Sequence, residues 1–303
     1  MDQIKTLLNM ALSPFQRTSQ PAPPDLPLRI VTHNIRYATT SPARGEKPWP
    51  TRRPLLTTQL AQLASTAPAG AIVLLNMQEV LDRQLGDIRE DLGADWAHVG
   101  VGRDDGAAAG EYNPILYRPA QARLLHSQTA WLSPTPAVPS FGWGAGSRRV
   151  VTAAVFEQVG GDGRRFIAAN THLDNVSSEA REKGVGVVLE TIEALREAWG
   201  PLAVVLTGDF NSSPGEDAYR AMEGSGRAED LYTAAGSERR FGPYETYTGF
   251  SPDDTPTRID FIWLGPPAEK LWVVDRYEVL SNTRDDVFLS DHRAVVGDLR
   301  IVA

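Results

Sequence analysis

The run VVLTGDFNSSP at residues 204–214 limits the architecture of this chain more than any other stretch. Its apolar start halts at Gly208 and a cluster of turn formers, the pattern of a buried strand. The strand therefore delivers a carboxylate and a carboxamide, Asp209 and Asn211, to its end. Side chains two residues apart on extended chain point the same way, so both polar groups can face one small object. Hard oxygen donors suit Mg²⁺, Mn²⁺ or Ca²⁺. Gly208 lets another backbone or a ligand come close. GDFN by itself is equally compatible with a strand-end turn closed by a polar cap. The same arrangement, however, recurs along the chain.

With 303 residues and 42% hydrophobic content, the chain can bury one large core or two modest ones. No stretch approaches the roughly 20 apolar residues of a membrane span. Residues 1–26 read as a weakly ordered N-terminal extension, a frayed helix followed by a proline-rich lead-in. Asn9 interrupts their apolar segment, which argues against a secretory signal. There is no cysteine, which excludes disulfides, thiolate nucleophiles and zinc–thiolate sites. That leans towards the cytosol, while a secreted protein already freed of its signal would look the same. The net charge of −8, with basic residues only in short pairs, does not suit a general duplex binder. A cluster of carboxylates would add to the acidic excess, and a bound divalent cation would locally reverse that field.

In chain order, strands are expected at 28–34, 71–79, 96–101, 113–117, 150–156, 166–171, 204–209, 257–264, 272–280 and 294–301. Helices are expected at 54–64, 81–92 and 177–199, with short ones at 215–222 and 228–234. Residues 122–132 suggest a hairpin, and 134–146 are loop by their proline and glycine content. Ser177 or Ser178 can cap the longest helix. No composition break follows residue 26, so one α/β domain with two stacked sheets is expected over 27–303.

Five apolar runs end in, or next to, a potential oxygen ligand: Asn34, Glu79, Asp209 with Asn211, Asp260 and Asp291. Two histidines, His172 and His292, sit at such ends as well. Each alone has an ordinary explanation as a satisfied structural group, a helix-start acid or an ion-pair partner. Together they suit hydrolysis of a phosphate ester. A divalent cation neutralises the phosphate, a histidine oriented by Asp260 or Asp291 relieves a water of its proton, and the second histidine serves the leaving oxygen.

The chain resembles the endonuclease/exonuclease/phosphatase superfamily, the group of pancreatic deoxyribonuclease and abasic-site endonuclease. The resemblance is carried by THNI (32–35), MQEV (77–80), GEYNPILYR (110–118), NTHLD (170–174), GDFN (208–211), RIDFI (258–262) and SDH (290–292). It implies a four-layered α/β/β/α sandwich of two stacked mixed sheets, with the site at one end of the sheets. It implies Glu79 as principal metal ligand, aided by Asn34 and Asp291, for one or two divalent ions. Asp209 and Asn211 would position water and phosphate. Two His–carboxylate pairs, Glu111–His172 and Asp260–His292, would flank the scissile phosphorus. Asn76 departs from the common pattern, and a solvent-facing position would account for it. The NTHLDN run points to a microbial branch of the family.

Arg36, Trp49, Tyr112, Trp143 and Arg149 lie beside the motifs as candidate substrate contacts, Arg149 first among them, and Asp174 is a further polar candidate. An arginine can hold a phosphate bidentately and an aromatic ring can stack on a base. The expected activity is that of a metal-dependent phosphodiesterase, foremost an exonuclease on DNA or RNA ends or short single strands, with phosphatase action beside it. A sugar- or lipid-phosphate phosphatase is the alternative, and a non-catalytic binding module of the same fold stands behind both. An acyl hydrolase lacks its G-x-S-x-G elbow. The chain calls for a phosphate-ester substrate and for no obligate protein partner.

Overall fold

The computed structural model describes residues 24–302 apart from Pro252. The extension expected over residues 1–26 therefore lies, as far as residue 23, outside the described residues. Two large sheets form the frame. The first has the order β10-β12-β15-β1-β2-β4-β3, and the second β5-β6-β7-β8-β11-β9. The first contains β1 (Leu26–Asn34), β2 (Ile72–Gln78), β3 (Ala97–Val99), β4 (Ile115–Tyr117), β10 (Arg240–Phe241), β12 (Trp272–Val279) and β15 (Val295–Ile301). The second contains β5 (Ala122–Trp131), β6 (Val150–Gln158), β7 (Arg165–His172), β8 (Ala203–Asp209), β9 (Glu229–Asp230) and β11 (Asp260–Gly265). A small hairpin, β13 (Thr283–Arg284) with β14 (Val287–Phe288), stands apart.

Three apolar clusters show how the layers stack. Leu28, Ile30 and Leu74 of the first sheet meet Phe156, Phe166, Val205 and Ile262 of the second, so the sheets pack face to face. Val31, Val73 and Leu75 point the other way, onto Leu56, Leu60 and Ile88 of α1 (Trp49–Ser65) and α2 (Asp82–Leu92). Ile167, Ala169 and Leu206 pack on Val185, Val188 and Met222 of α3 (Ser178–Trp199) and α4 (Asp217–Gly224). The result is the four-layered α/β/β/α sandwich. Strands covered on both faces read as continuous apolar runs rather than alternating ones. That is why β2 and β8 are buried throughout.

The central pairs are parallel, β1 with β2 and β7 with β8. Their crossovers are α1 and α3, packed on opposite outer faces. Ser177 caps α3 by accepting from the Ala180 amide. Register then carries the polar strand ends to one edge. Asn34 lies opposite Gln78, His172 opposite Asp209, and Asp209 opposite Asp260.

Several local expectations change. Residues 122–131 form one strand, not a hairpin, because nothing inside LLHSQTA reverses the chain. The irregularity is a bulge between Leu124 and His126. The helix expected over 228–234 divides into β9 and the short α5 (Leu231–Ala235), started by the Asp230 side chain accepting from the Tyr232 amide. Asn76 faces the space between the sheets and is fully buried, not solvent-facing. Trp49 begins α1 and is buried, its indole donating to Asp87 at 2.7 Å. It is not available to stack on a substrate. No described helix is long and apolar enough to cross a membrane.

Candidate active site

The site begins with backbone that most residues avoid. Arg36, Glu79 and Asn211 all have left-handed φ, at 58°, 60° and 46°. Each such residue costs on the order of 1 kcal/mol or more and persists only where its surroundings hold it. Here the surroundings are side-chain bonds from neighbouring strand ends. Asn34 Nδ2 donates to Glu79 Oε1 at 3.0 Å and to Asp209 Oδ2 at 2.9 Å. Asn34 Oδ1 accepts from the Arg36 amide, and Glu79 Oε2 from the Tyr37 amide. The Asn211 amide donates to Asp209 Oδ1 at 2.9 Å. One buried asparagine thus ties two acids from different sheets.

Two histidines face Asp209 from different sides. His172 Nε2 lies 3.4 Å from Asp209 Oδ2, and His292 Nε2 lies 3.7 Å from the same oxygen. The other nitrogen of His292, Nδ1, donates to Asp260 Oδ2 at 2.8 Å. Their environments push them apart. Burial disfavours a charged His292, but Asp260 and Asp209 outweigh it and hold the imidazolium well above the ordinary range. Burial, reinforced by Arg149 and Arg103, holds His172 well below it and therefore neutral. Asn211 Nδ2 donates to Leu173 O and, at 3.0 Å, to His172 Nε2. That bond leaves Nε2 as the bare nitrogen and the proton on Nδ1.

The acids carry the matching stress. Burial pushes Asp209 up to about 7, with Asp260 adding to it and His292 opposing it. Asp291 is also raised, by burial first and by Glu79 among its neighbours. Uncompensated carboxylates in one cleft, joined by a carboxamide, are a donor set of hard oxygens that fits a divalent cation. Glu79, Asn34 and Asp291 could hold it. Asp209, Asp260 and His292 also bring ligand atoms within 4.8 Å of one another. Within that trio Asp260 Oδ2 is already bonded to a charged imidazole, which suits proton handling better than ligation.

Glu79, His172, Asp209, Asn211, Asp291 and His292 line a cleft of about 690 Å³ together with Arg36, Glu111 and Arg149, while Asn34 and Asp260 lie behind its wall. Glu111 does not bond to His172 in this structure. Arg103 grips it with two nitrogens, each 2.8 Å away, and His172 Nδ1 has no partner. Arg149 is buried, donates to Asn175 Oδ1 at 3.0 Å, and keeps Nε 3.6 Å from Asp174. Four expected contacts, Trp49, Tyr112, Trp143 and Asp174, lie outside the cleft lining. Asp174 accepts from the amides of Gly146, Ser147, Val176 and Ser177, so it fastens the loop before β6 to the start of α3. Tyr112 is buried, its hydroxyl 3.0 Å from Asp82 and 2.9 Å from Ala107 O. Trp143 packs against the apolar layer under α3. The cleft also gathers residues that the sequence did not mark as site candidates: Arg103, Asn175, Glu216 and Tyr247. Of these only Asn175 had a signal, its place as the last residue of the NTHLDN run.

The fold and these side chains define a family of phosphate-ester hydrolases. A family model of the endonuclease/exonuclease/phosphatase family matches residues 31–292, and the chain belongs to that family. Among solved structures, an endonuclease/exonuclease/phosphatase family protein from Bacteroides thetaiotaomicron is 31% identical, with 92% of this chain and 100% of that chain covered, at a TM-score of 0.79. The mannosyl-6-phosphatase Bt3783 of Bacteroides thetaiotaomicron VPI-5482 is 31% identical over 90% of this chain and 99% of its own, at a TM-score of 0.77. The human nocturnin catalytic domain, at 18% identity, 91% and 94% coverage and a TM-score of 0.68, shares the fold. No curated protein sequence matches the chain. Members of the family are hydrolases acting on phosphate esters and are generally dependent on divalent metal.

Proposed function

We propose that this protein is a divalent-metal-dependent phosphoesterase whose preferred substrates are small phosphate monoesters of polyols. The observation that carries the chemistry is a single carboxylate, Asp209, faced by two imidazoles held in opposite charge states. Environments that drive like groups apart mark acid and base assignments. When bound, the cation neutralises charge on the phosphoryl group. The protein residues do the rest. Asp209 and Asn211 align the attacking water, and Asp209 is the group placed to take its proton. His292, fixed by Asp260, puts a positive charge against the phosphoryl oxygens. His172, neutral, holds its bare Nε2 towards the same centre. Arg149 and Arg36 supply positive charge at the cleft wall.

The substrate class rests on the cleft's mixed charge. Glu111 and Glu216 line it beside the arginines, so a polyanion would meet carboxylates on its way in, whereas hydroxyls bond to both signs. The relative named as a mannosyl-6-phosphatase supports this reading. Cleavage at single-stranded nucleic-acid ends is the second reading, since Tyr37 and Tyr247 line the cleft. Both rings are already engaged, Tyr37 under the Arg36 guanidinium at 4.5 Å and Tyr247 edge-on to His292 at 5.0 Å. The test is a panel of hexose 6-phosphates, p-nitrophenyl phosphate, bis-p-nitrophenyl phosphate, single-stranded DNA and RNA, with Mg²⁺ or Mn²⁺ and with EDTA. A hexose phosphate should lead by on the order of 100-fold in kcat/KM, about 2.7 kcal/mol of transition-state discrimination, with no turnover in EDTA. Equal or faster cleavage of the nucleic acids would overturn the substrate class.

A further inference from the structure

We propose that Arg52 is a positioning residue for the cation site, holding the two chain segments that carry its ligands at a fixed separation. Arg52 lies in the first turn of α1, on the outer face of the first sheet, and is fully buried. It touches none of the acids that would hold the ion. Its guanidinium is spent on backbone carbonyls. Nη1 donates to Ile35 O at 2.8 Å and to Leu289 O at 2.7 Å. Nη2 donates to Arg36 O at 3.0 Å, and Nε to Lys47 O at 3.0 Å. Ile35 and Arg36 follow Asn34. Leu289 stands two residues before Asp291. One planar fork therefore bridges the segment after β1 to the segment before β15, which are far apart in sequence.

Burying a guanidinium for four carbonyls is an expensive way to secure a loop. Desolvation lowers its proton affinity, and the nearest counter-charge, Glu46, lies as far as 3.9 Å away. Glu46 in turn accepts from Arg36 Nε at 3.4 Å, and Arg36 Nη1 reaches to 3.9 Å from Glu79. The chain of contacts thus runs from Arg52 to both sides of the ligand set. Ser290 makes a second, parallel tie by donating its hydroxyl to Asn34 O at 2.6 Å. A lysine has one compact ammonium in place of the fork and cannot span carbonyls on both segments. Residues that orient metal ligands without touching the ion commonly change affinity by 10–100-fold.

The inference rests on the reading of Glu79, Asn34 and Asp291 as the cation's holders, and the test separates the two. Mn²⁺ binding is followed by the loss of the free-ion EPR signal, on the full chain, for the parent, Arg52→Lys, Ser290→Ala and Leu60→Ala, with thermal unfolding of each in EDTA. Leu60→Ala empties a buried site in the apolar cluster that also holds Ile35 and Leu289, and lowers stability while leaving every hydrogen bond between the two segments in place. Arg52→Lys should raise the Mn²⁺ dissociation constant tenfold or more, and Ser290→Ala should raise it in the same direction. Leu60→Ala should lower the melting temperature and leave the constant unchanged. If the parent binds no Mn²⁺, the reading of the cation site fails. If the parent binds and Arg52→Lys binds equally well, or Leu60→Ala weakens binding as much, the positioning role is overturned. Should Arg52→Lys not fold, Ser290→Ala with an unchanged constant overturns it.

Discussion

His292 and His172 are the same side chain in the same cleft, and what separates them is the company each keeps. His292 has Asp260 on Nδ1 and Asp209 opposite Nε2, while His172 is buried near Arg149 and Arg103. Removing the first should be costly: His292→Ala is expected to lower kcat by about 10²–10⁴, with thermal unfolding near that of the parent. Asp260→Asn tests the cause. A folded-state value raised by a carboxylate keeps the imidazolium present until pH climbs through that raised value. Without the carboxylate the proton leaves earlier, so the basic limb of the kcat/KM profile should move to lower pH. A basic limb that stays in place would remove the pair from the mechanism. At this scale the sequence was legible where identity and strand-end position coincide, as at Asn34, Glu79, Asp209 and His292. It was not legible for Glu111, whose carboxylate goes to Arg103, because an ion pair across a glycine-rich loop leaves no periodic trace. Asp174 and Tyr112 looked like contacts because they sit inside motifs, yet their polar atoms are taken up by neighbouring amides and by Asp82 and Ala107.

Among elements, β8 sets the positions of the others. It is paired on one side by β7 and on the other by β11, so the registers that place His172 and Asp260 are both read from it. Gly208 allows this closeness. A Cβ at that position would fall inside contact distance of the Thr171 carbonyl oxygen on β7. Gly208→Ala should therefore push β8 from β7 one residue before Asp209. The expected cost is about 1–3 kcal/mol, the usual range for forcing atoms into packed interior, and activity should fall far more than the lost stability explains. Chemical denaturation together with kcat would show it, and a stable, fully active Gly208→Ala would contradict it. The strands could be read from their apolar runs because burial on both faces leaves little else. Residues 122–131 misled because polar residues within an edge strand of the second sheet imitate a turn. Asn76 misled because a polar residue in an apolar run suggests an exposed face, whereas here it is fully buried with neither atom of its carboxamide hydrogen-bonded.

At the scale of the molecule, the sandwich converts sequence distance into proximity. Asn34, Glu79, His172, Asp209, Asp260 and Asp291 arrive from both sheets and from segments spread over most of the chain. Their meeting leaves raised carboxylates that only a positive charge would settle. The order of the motifs made this architecture readable in advance. The size and wall chemistry of the cleft were not readable, because Arg103, Glu216 and Tyr247 come from loops whose course depends on the packed whole. The most direct test of the gathered cation site is anomalous scattering from crystals grown with Mn²⁺. A strong peak bounded by the Glu79, Asn34 and Asp291 side chains is expected, absent from Glu79→Gln crystals grown alike. A clear peak elsewhere, with none at Glu79, would contradict it.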